Sequence, residues 1–251
     1  PPGPDRLPSL LPADGLLLGE QDDASAHQRL QREAVIRVAG RGQLAALVVE
    51  MAGRGHSTAG LPRSAPDAQA QTALAWQESA WPWTAYGPVV MAAVAAGVPV
   101  LGGNLPRSQM RAAMADAAWD GHLPAAALSR QYAALREGHC GLLPESQIGP
   151  MARIQIARDA AMAQTAREAM RPGQAVLLVA GSGHVLRSIG VPTHWSANIK
   201  SKVVVAQAGK AQTATTLIAK DADAVVETPA LPPRDACAEL RQQWQRPAAA
   251  R

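Results

Sequence analysis

Phenylalanine is absent from the 251-residue chain, tyrosine occurs twice and cysteine twice. Without Phe, an apolar ligand pocket has to be lined by Trp, Leu, Val and Met. Tyr86 and Tyr132 are the only phenols that could serve as ligands. Cys140 and Cys237 stand too far apart for a C-x-x-C metal clip or redox pair. They are either two buried thiols or one disulfide, and a disulfide would belong to an oxidising compartment. No apolar run reaches the roughly 18–20 residues of a membrane span. A strong charge bias is missing too. The net charge is +4, and the basic residues are nearly all scattered arginines, so there is no basic stripe of the kind a nucleic-acid binder carries. The chain opens at Pro1 without an initiator Met or a signal-like segment, which reads as a mature or trimmed form with any targeting peptide out of view.

What is present is the composition of a globular domain, 47% hydrophobic and 18% charged. Residues 1–14 are Pro-rich and read as an extended arm. From residue 15 onward one α/β domain is expected. Apolar runs at 14–20, 44–51, 98–104 and 175–184 read as strands, with shorter ones at 201–209 and 221–228. They are continuous Val/Leu runs rather than alternating patterns, as expected of strands covered on both faces. Helical patterns lie between them, at 24–42, within 67–97, and at 234–245. A mostly helical insertion spans about 106–172. Strands alternating with helices predict a mostly parallel central sheet with helices on both faces.

In an open sheet of this kind a ligand lies outside the carboxyl ends of the strands. The polar residues at those ends are Glu20, Glu50, Asn104 and His184, one from each of four strands. The stretch VLLVAGSGHV at 176–185 raises the question of what His184 is for. It lacks the third glycine of a dinucleotide fingerprint, the Gly-Lys-Ser/Thr of a phosphate loop and the first glycine of a G-x-S-x-G elbow. Ser182 is therefore not expected to be a nucleophile, and a histidine presented after a sharp glycine turn remains. Upstream, Glu20 is followed by Asp22, Asp23 and His27. Acids near a helix start are favourable on dipole grounds alone. Carboxylates and imidazoles in one cleft could also hold a divalent ion such as copper or zinc, which makes Glu20, Asp22, Glu50 and His184 an alternative metal set. No H-E-x-x-H or other tight metal spacing supports it.

Taken in order, these residues resemble the ChaN-like haem-binding uptake family of the Tiki and erythromycin-esterase-like superfamily. The resemblance is carried by LLLGE at 16–20, His27 and Gln31, VVEM at 48–51, WPWTAYGP at 81–88 and VPVLGGNLPR at 98–107. It continues through HCGLLP at 139–144, Gln155, Arg158 and Asp159, GSGH at 181–184 with GVP at 190–192, TPA at 228–230 and CAELR at 237–241. It departs from the family pattern at Gly19-Glu20-Gln21-Asp22, where Asp22 replaces the histidine of Gly-Glu-x-His. That change weakens a hydrolase reading in which Glu20 or Glu50 acts as general base on a metal-bound water.

The resemblance implies a periplasmic or outer-membrane-associated protein, often a lipoprotein, that binds haem for uptake or trafficking without being an enzyme. It implies a haem receptor or transporter as partner, a homodimer formed around haem, and a Cys140–Cys237 disulfide. It also implies a tyrosinate iron ligand, since a hard anionic oxygen suits ferric haem. Tyr132, in SRQYAALREGH with Arg130 and Arg136 nearby, is preferred over Tyr86; His184 and His27 complete the haem-binding candidates.

Overall fold

The computed structural model describes residues 4–210 and 220–245. Six strands, β1 (Gly15–Glu20), β2 (Leu44–Gly53), β3 (Val100–Asn104), β4 (Ala175–Gly181), β5 (Ser201–Ala208) and β6 (Ala224–Thr228), form one sheet in the order β3-β2-β4-β1-β5-β6. Every pairing is parallel. The helices are α1 (Ser25–Gly40), α2 (Asp67–Ala73), α3 (Trp83–Ala95), α4 (Arg107–Ala115), α5 (Ala125–Gly138), α6 (Glu145–Ala169), the single turn α7 (Ser182–Val185) and α8 (Ala236–Gln245). The helical insertion foreseen between residues 106 and 172 is α4, α5 and α6. Among the described residues no helix is long and apolar enough to cross a membrane.

The period-two geometry of a strand sends alternate residues to opposite faces, and both faces are covered. Leu16 and Leu18 of β1, Leu47 and Val49 of β2, and Leu177 and Val179 of β4 pack with Leu30, Ala34, Val35 and Val38 of α1 and Val89, Val90 and Ala93 of α3. Leu17, Val48, Val176 and Leu178 face the other way, onto Ile156, Met162, Ala163 and Ala166 of α6. Burial of each such Leu or Val stabilises the fold by about 1.5–3 kcal/mol.

The extended arm expected at the N-terminus is not what forms. Pro4–Leu10 is a 3-10 helix. Leu7 is buried in the α1–α3 core, with Leu10 and Leu11 packed against it. The three leucines stand at helical spacing, so one wound turn buries them together where an extended chain would not. Residues 1–3, part of the expected arm, and 246–251, the end of the expected single domain, lie outside the described residues. Cys140, just past α5, is bonded to Cys237 of α8. No residue of α8 is buried, so this covalent link is its main tie to the body.

Candidate functional site

The strand order places β3, β2, β4 and β1 side by side, so the carboxyl ends carrying Asn104, Glu50, Gly181 and Glu20 form one continuous edge. Between β4 and β1 the chain leaves in opposite directions. After β1 it enters α1, against one face, while after β4 residues Val185, Leu186 and Ile189 pack on the other. This is a topological switch point, where open α/β sheets bind ligands. A cleft of about 410 Å³ opens there, lined by Glu20, Asp22, Asp23, Glu50, Asp159 and Gly181 to His184, with Trp81, Gln131 and Gln155 on its walls. Gly19 lets the turn of α7 sit close against β1: a Cβ at this position would lie 2.6 Å from the Val185 side chain.

The glycine turn after β4 aims His184 at two buried acids. His184 Nδ1 lies 2.6 Å from Asp159 Oδ1, and Nε2 lies 3.5 Å from Glu50 Oε2. Glu50 Oε1 also accepts the Gly181 N–H at 2.8 Å. Burial alone would lower the His184 pKa, but the charges of Glu50 and Asp159 outweigh it and hold the imidazolium up to about 10. Burial would raise Glu50, yet His184 and the Gly181 N–H bring it down to about 2. Asp159, the most deeply buried of the three, is raised by that burial to about 6 despite His184. The arrangement is an ion triad whose cation sits between two carboxyl groups. Asn104 braces it by donating Nδ2–H to the Glu50 carbonyl at 3.0 Å. Ser182 donates to the Glu20 carbonyl at 3.1 Å, a structural role that agrees with the absence of a nucleophile elbow.

Glu20 is held differently. Its Oε2 accepts from Gln28 at 2.6 Å and Gln31 at 2.7 Å, and its Oε1 accepts from the Tyr86 hydroxyl at 2.7 Å. All three donors are neutral. Burial raises the Glu20 pKa, and the hydrogen bonds only partly offset it. Tyr86 is 2% exposed, and its ring meets Trp81 edge-on at 5.7 Å. Burial and the Glu20 charge push its phenol far above the usual range, so it is no source of phenolate in this geometry. His27 is equally committed. Its Nδ1 accepts the Gln21 N–H at 2.9 Å, which leaves Nε2–H to donate to Thr228 Oγ1 at 2.8 Å. Burial lowers its pKa, so it stays a neutral strut between α1 and β6.

Of the haem-binding candidates, this leaves Tyr132. It lies on α5, half-buried, and packs with Leu143 and Met151 against the buried cluster of Leu135, Ile148 and Ala152. Among the described residues its hydroxyl makes no hydrogen bond. Arg136 and Arg153 are within electrostatic reach of it, although each is also paired, with Glu145 at 2.9 Å and with Asp120 at 2.8 Å. Arg130, expected near Tyr132 from the sequence, turns instead to Asp221 at 2.7 Å and to Ser188 at 2.6 Å. Arg153 could have been found only by knowing that α6 packs beside α5.

The alternative metal set does share one cleft, but Glu20 is taken by three donors and His184 lies between Asp159 and Glu50, which leaves Asp22 as its one unengaged member among the described residues. Among the described residues no three His, Cys, Asp or Glu side chains are grouped to hold a metal ion.

The fold defines an α/β domain whose parallel sheet is covered on both faces and carries a cleft at its switch point. The chain belongs to the family described as haem-binding uptake, Tiki superfamily, ChaN, whose pattern matches residues 7–194. Its fold is that of ChaN of Campylobacter jejuni, solved in a study of cofacial heme binding, with a TM-score of 0.67 and 23% identity over 88% of this chain and 89% of that one. The type III effector HopBA1 also aligns, over 87% of this chain and 88% of its own, but at 13% identity and a TM-score of 0.43 it supports no argument. No curated protein matches the sequence.

Proposed function

We propose that this protein binds haem and carries it in haem or iron uptake at the cell envelope, with Tyr132 as the iron ligand. The observation that carries the reading is the Tyr132 hydroxyl, half-exposed and without a hydrogen-bond partner among the described residues. The other haem-ligand candidates, Tyr86, His184 and His27, are each held by the protein. The residues around it fit the group. Leu143 and Met151 offer apolar contact for a porphyrin face, and Arg136 and Arg153, within electrostatic reach of Tyr132, attract propionates. Ferric haem bound there would supply a Lewis-acidic iron that prefers a hard anionic oxygen. The role is carriage rather than turnover. A half-buried ligand on α5 also suits a haem shared by two copies of the chain. The disulfide supports an oxidising compartment, in keeping with a periplasmic or outer-membrane-associated protein, lipid-anchored and handing haem to a receptor or transporter.

Haemin titration followed by Soret absorbance and size-exclusion tests this reading. Saturable binding with a defined high-spin ferric Soret band and a shift to dimer is expected. In Tyr132→Phe the band should shift or vanish, while Tyr86→Phe keeps it. An unchanged spectrum in Tyr132→Phe would remove Tyr132 as the ligand.

A further inference from the structure

The cleft at the strand ends has a chemistry opposed to that of haem, which brings two propionates. Five carboxyl side chains line it against a single imidazole, His184. His184 answers Glu50 and Asp159, and Arg234 approaches Asp23 only to 3.9 Å at the exposed rim. Glu20 accepts three hydrogen bonds from neutral groups, the pattern of an ionised carboxylate whose charge nothing in direct contact cancels. The exposed Asp22 carboxylate accepts no hydrogen bond and forms no ion pair among the described residues.

Acidity alone would not make this a ligand site, but the walls add independent evidence. Gln131 of α5 is only 8% exposed and lines the cleft, yet it forms no hydrogen bond among the described residues. Gln155 of α6 lines it opposite the strand ends and is likewise unpartnered. Buried polar side chains are normally satisfied within the protein, and elsewhere in this cleft they are. Trp81 supplies an indole wall, and an indole face attracts organic cations.

We propose that the cleft binds a small organic ammonium ion. Glu20 and Asp22 neutralise its charge, Gln131 and Gln155 take its remaining polar groups, and Trp81 covers its carbon skeleton. A volume of about 410 Å³ admits a molecule the size of choline or putrescine. The site is distinct from Tyr132 and does not depend on the haem reading.

The test is calorimetric titration of the whole protein with choline chloride and with putrescine at constant ionic strength, alongside tryptophan fluorescence. Sorbitol serves as a neutral probe, and magnesium and zinc chloride as metal probes. The expected result is saturable one-to-one binding of at least one ammonium, with a fluorescence change that Trp81→Phe abolishes. Asp22→Asn, at the exposed rim, should weaken binding at least tenfold while keeping the wild-type melting temperature and haemin titration. Saturable binding of neither ammonium overturns the proposal. So does preferential binding of sorbitol or of either metal, or an Asp22→Asn variant that binds as tightly as the wild type. Because haemin is titrated on the same samples, failure of haem binding is read separately.

Discussion

The floor of the strand-end cleft and the half-buried seam of α5 and α6 both carry groups with ligand chemistry, and they treat them in opposite ways. At the floor, Glu50, Asp159 and Glu20 are buried and His184 is largely covered, and most of their polar atoms are engaged inside the protein. On α5, Tyr132 is half-buried and its hydroxyl is unused among the described residues. The physics behind the contrast is desolvation. A buried charge must find partners or lose its charge, so the fold claims the charged groups at the floor. A half-exposed phenol can rest against water and stay available.

The largest effect should come from breaking the buried side of this contrast. Glu50→Ala leaves the His184 imidazolium with a weakened counter-charge and frees the Gly181 N–H, and Asp159→Ala removes the closer partner. Loss of one member of a buried ion pair costs about 3–5 kcal/mol. Urea unfolding should show a drop of that order in both variants. A drop below about 1 kcal/mol would mean that water reaches the triad, and that its groups are as available as Tyr132.

The pH dependence of stability sharpens the same point. His184 is raised from 6.5 to about 10, so its contribution is complete below pH 6.5 and is lost as pH rises through about 10. Glu50 is lowered from 4.5 to about 2, so its contribution is complete above pH 4.5 and is lost as pH falls through about 2. Asp159, raised from 3.8 to about 6, works against Glu50: its share is complete below pH 3.8 and is lost as pH rises through about 6. Unfolding free energy measured from pH 6 to 10.5 should therefore fall steadily toward the alkaline end. A flat profile there would contradict an imidazolium held between two carboxyl groups.

A smaller effect belongs to Tyr86→Phe. It removes one of the three donors to Glu20 and leaves the ring to pack against Trp81. A buried hydrogen bond to a charged group contributes about 1.5–3 kcal/mol. Because Gln28 and Gln31 remain, the lower end is expected from denaturant unfolding, with the Soret band of the haemin complex unchanged.

The sheet and its edge were legible because they rest on short-range rules. Uninterrupted Val and Leu runs marked strands covered on both faces. The placement of ligand sites at carboxyl ends then brought Glu20, Glu50, Asn104 and His184 to one edge before any coordinates. Which lone pairs were already spent was not legible, because it depends on contacts distant in sequence. The ring of His27 is held by Thr228, 201 residues away, and Glu20 by Tyr86, 66 residues away. Asp159 stood out only within a family block, since a lone acid inside a long helix carries no local sign that a strand end will present an imidazole to it. The N-terminal turn was missed for a related reason. Prolines in residues 1–14 argued for extension, and the spacing of Leu7, Leu10 and Leu11 mattered only once α1 was there to receive them.

The last prediction concerns the available side of the contrast, and its stability effect should be the smallest. Tyr132→Phe removes a hydroxyl with no hydrogen-bond partner among the described residues and keeps the ring among Leu135, Ile148 and Met151. Surface changes away from buried networks shift stability by about 0.5 kcal/mol or less. Denaturant unfolding of Tyr132→Phe should therefore overlay the wild type within that margin, while the haemin titration changes. The pair of measurements separates the two regions cleanly. Tyr86→Phe should cost stability and spare the spectrum, and Tyr132→Phe should spare stability and alter the spectrum. If Tyr132→Phe cost more than about 1 kcal/mol, its hydroxyl would be a structural group like that of Tyr86, and the distinction between spent and available phenols would collapse.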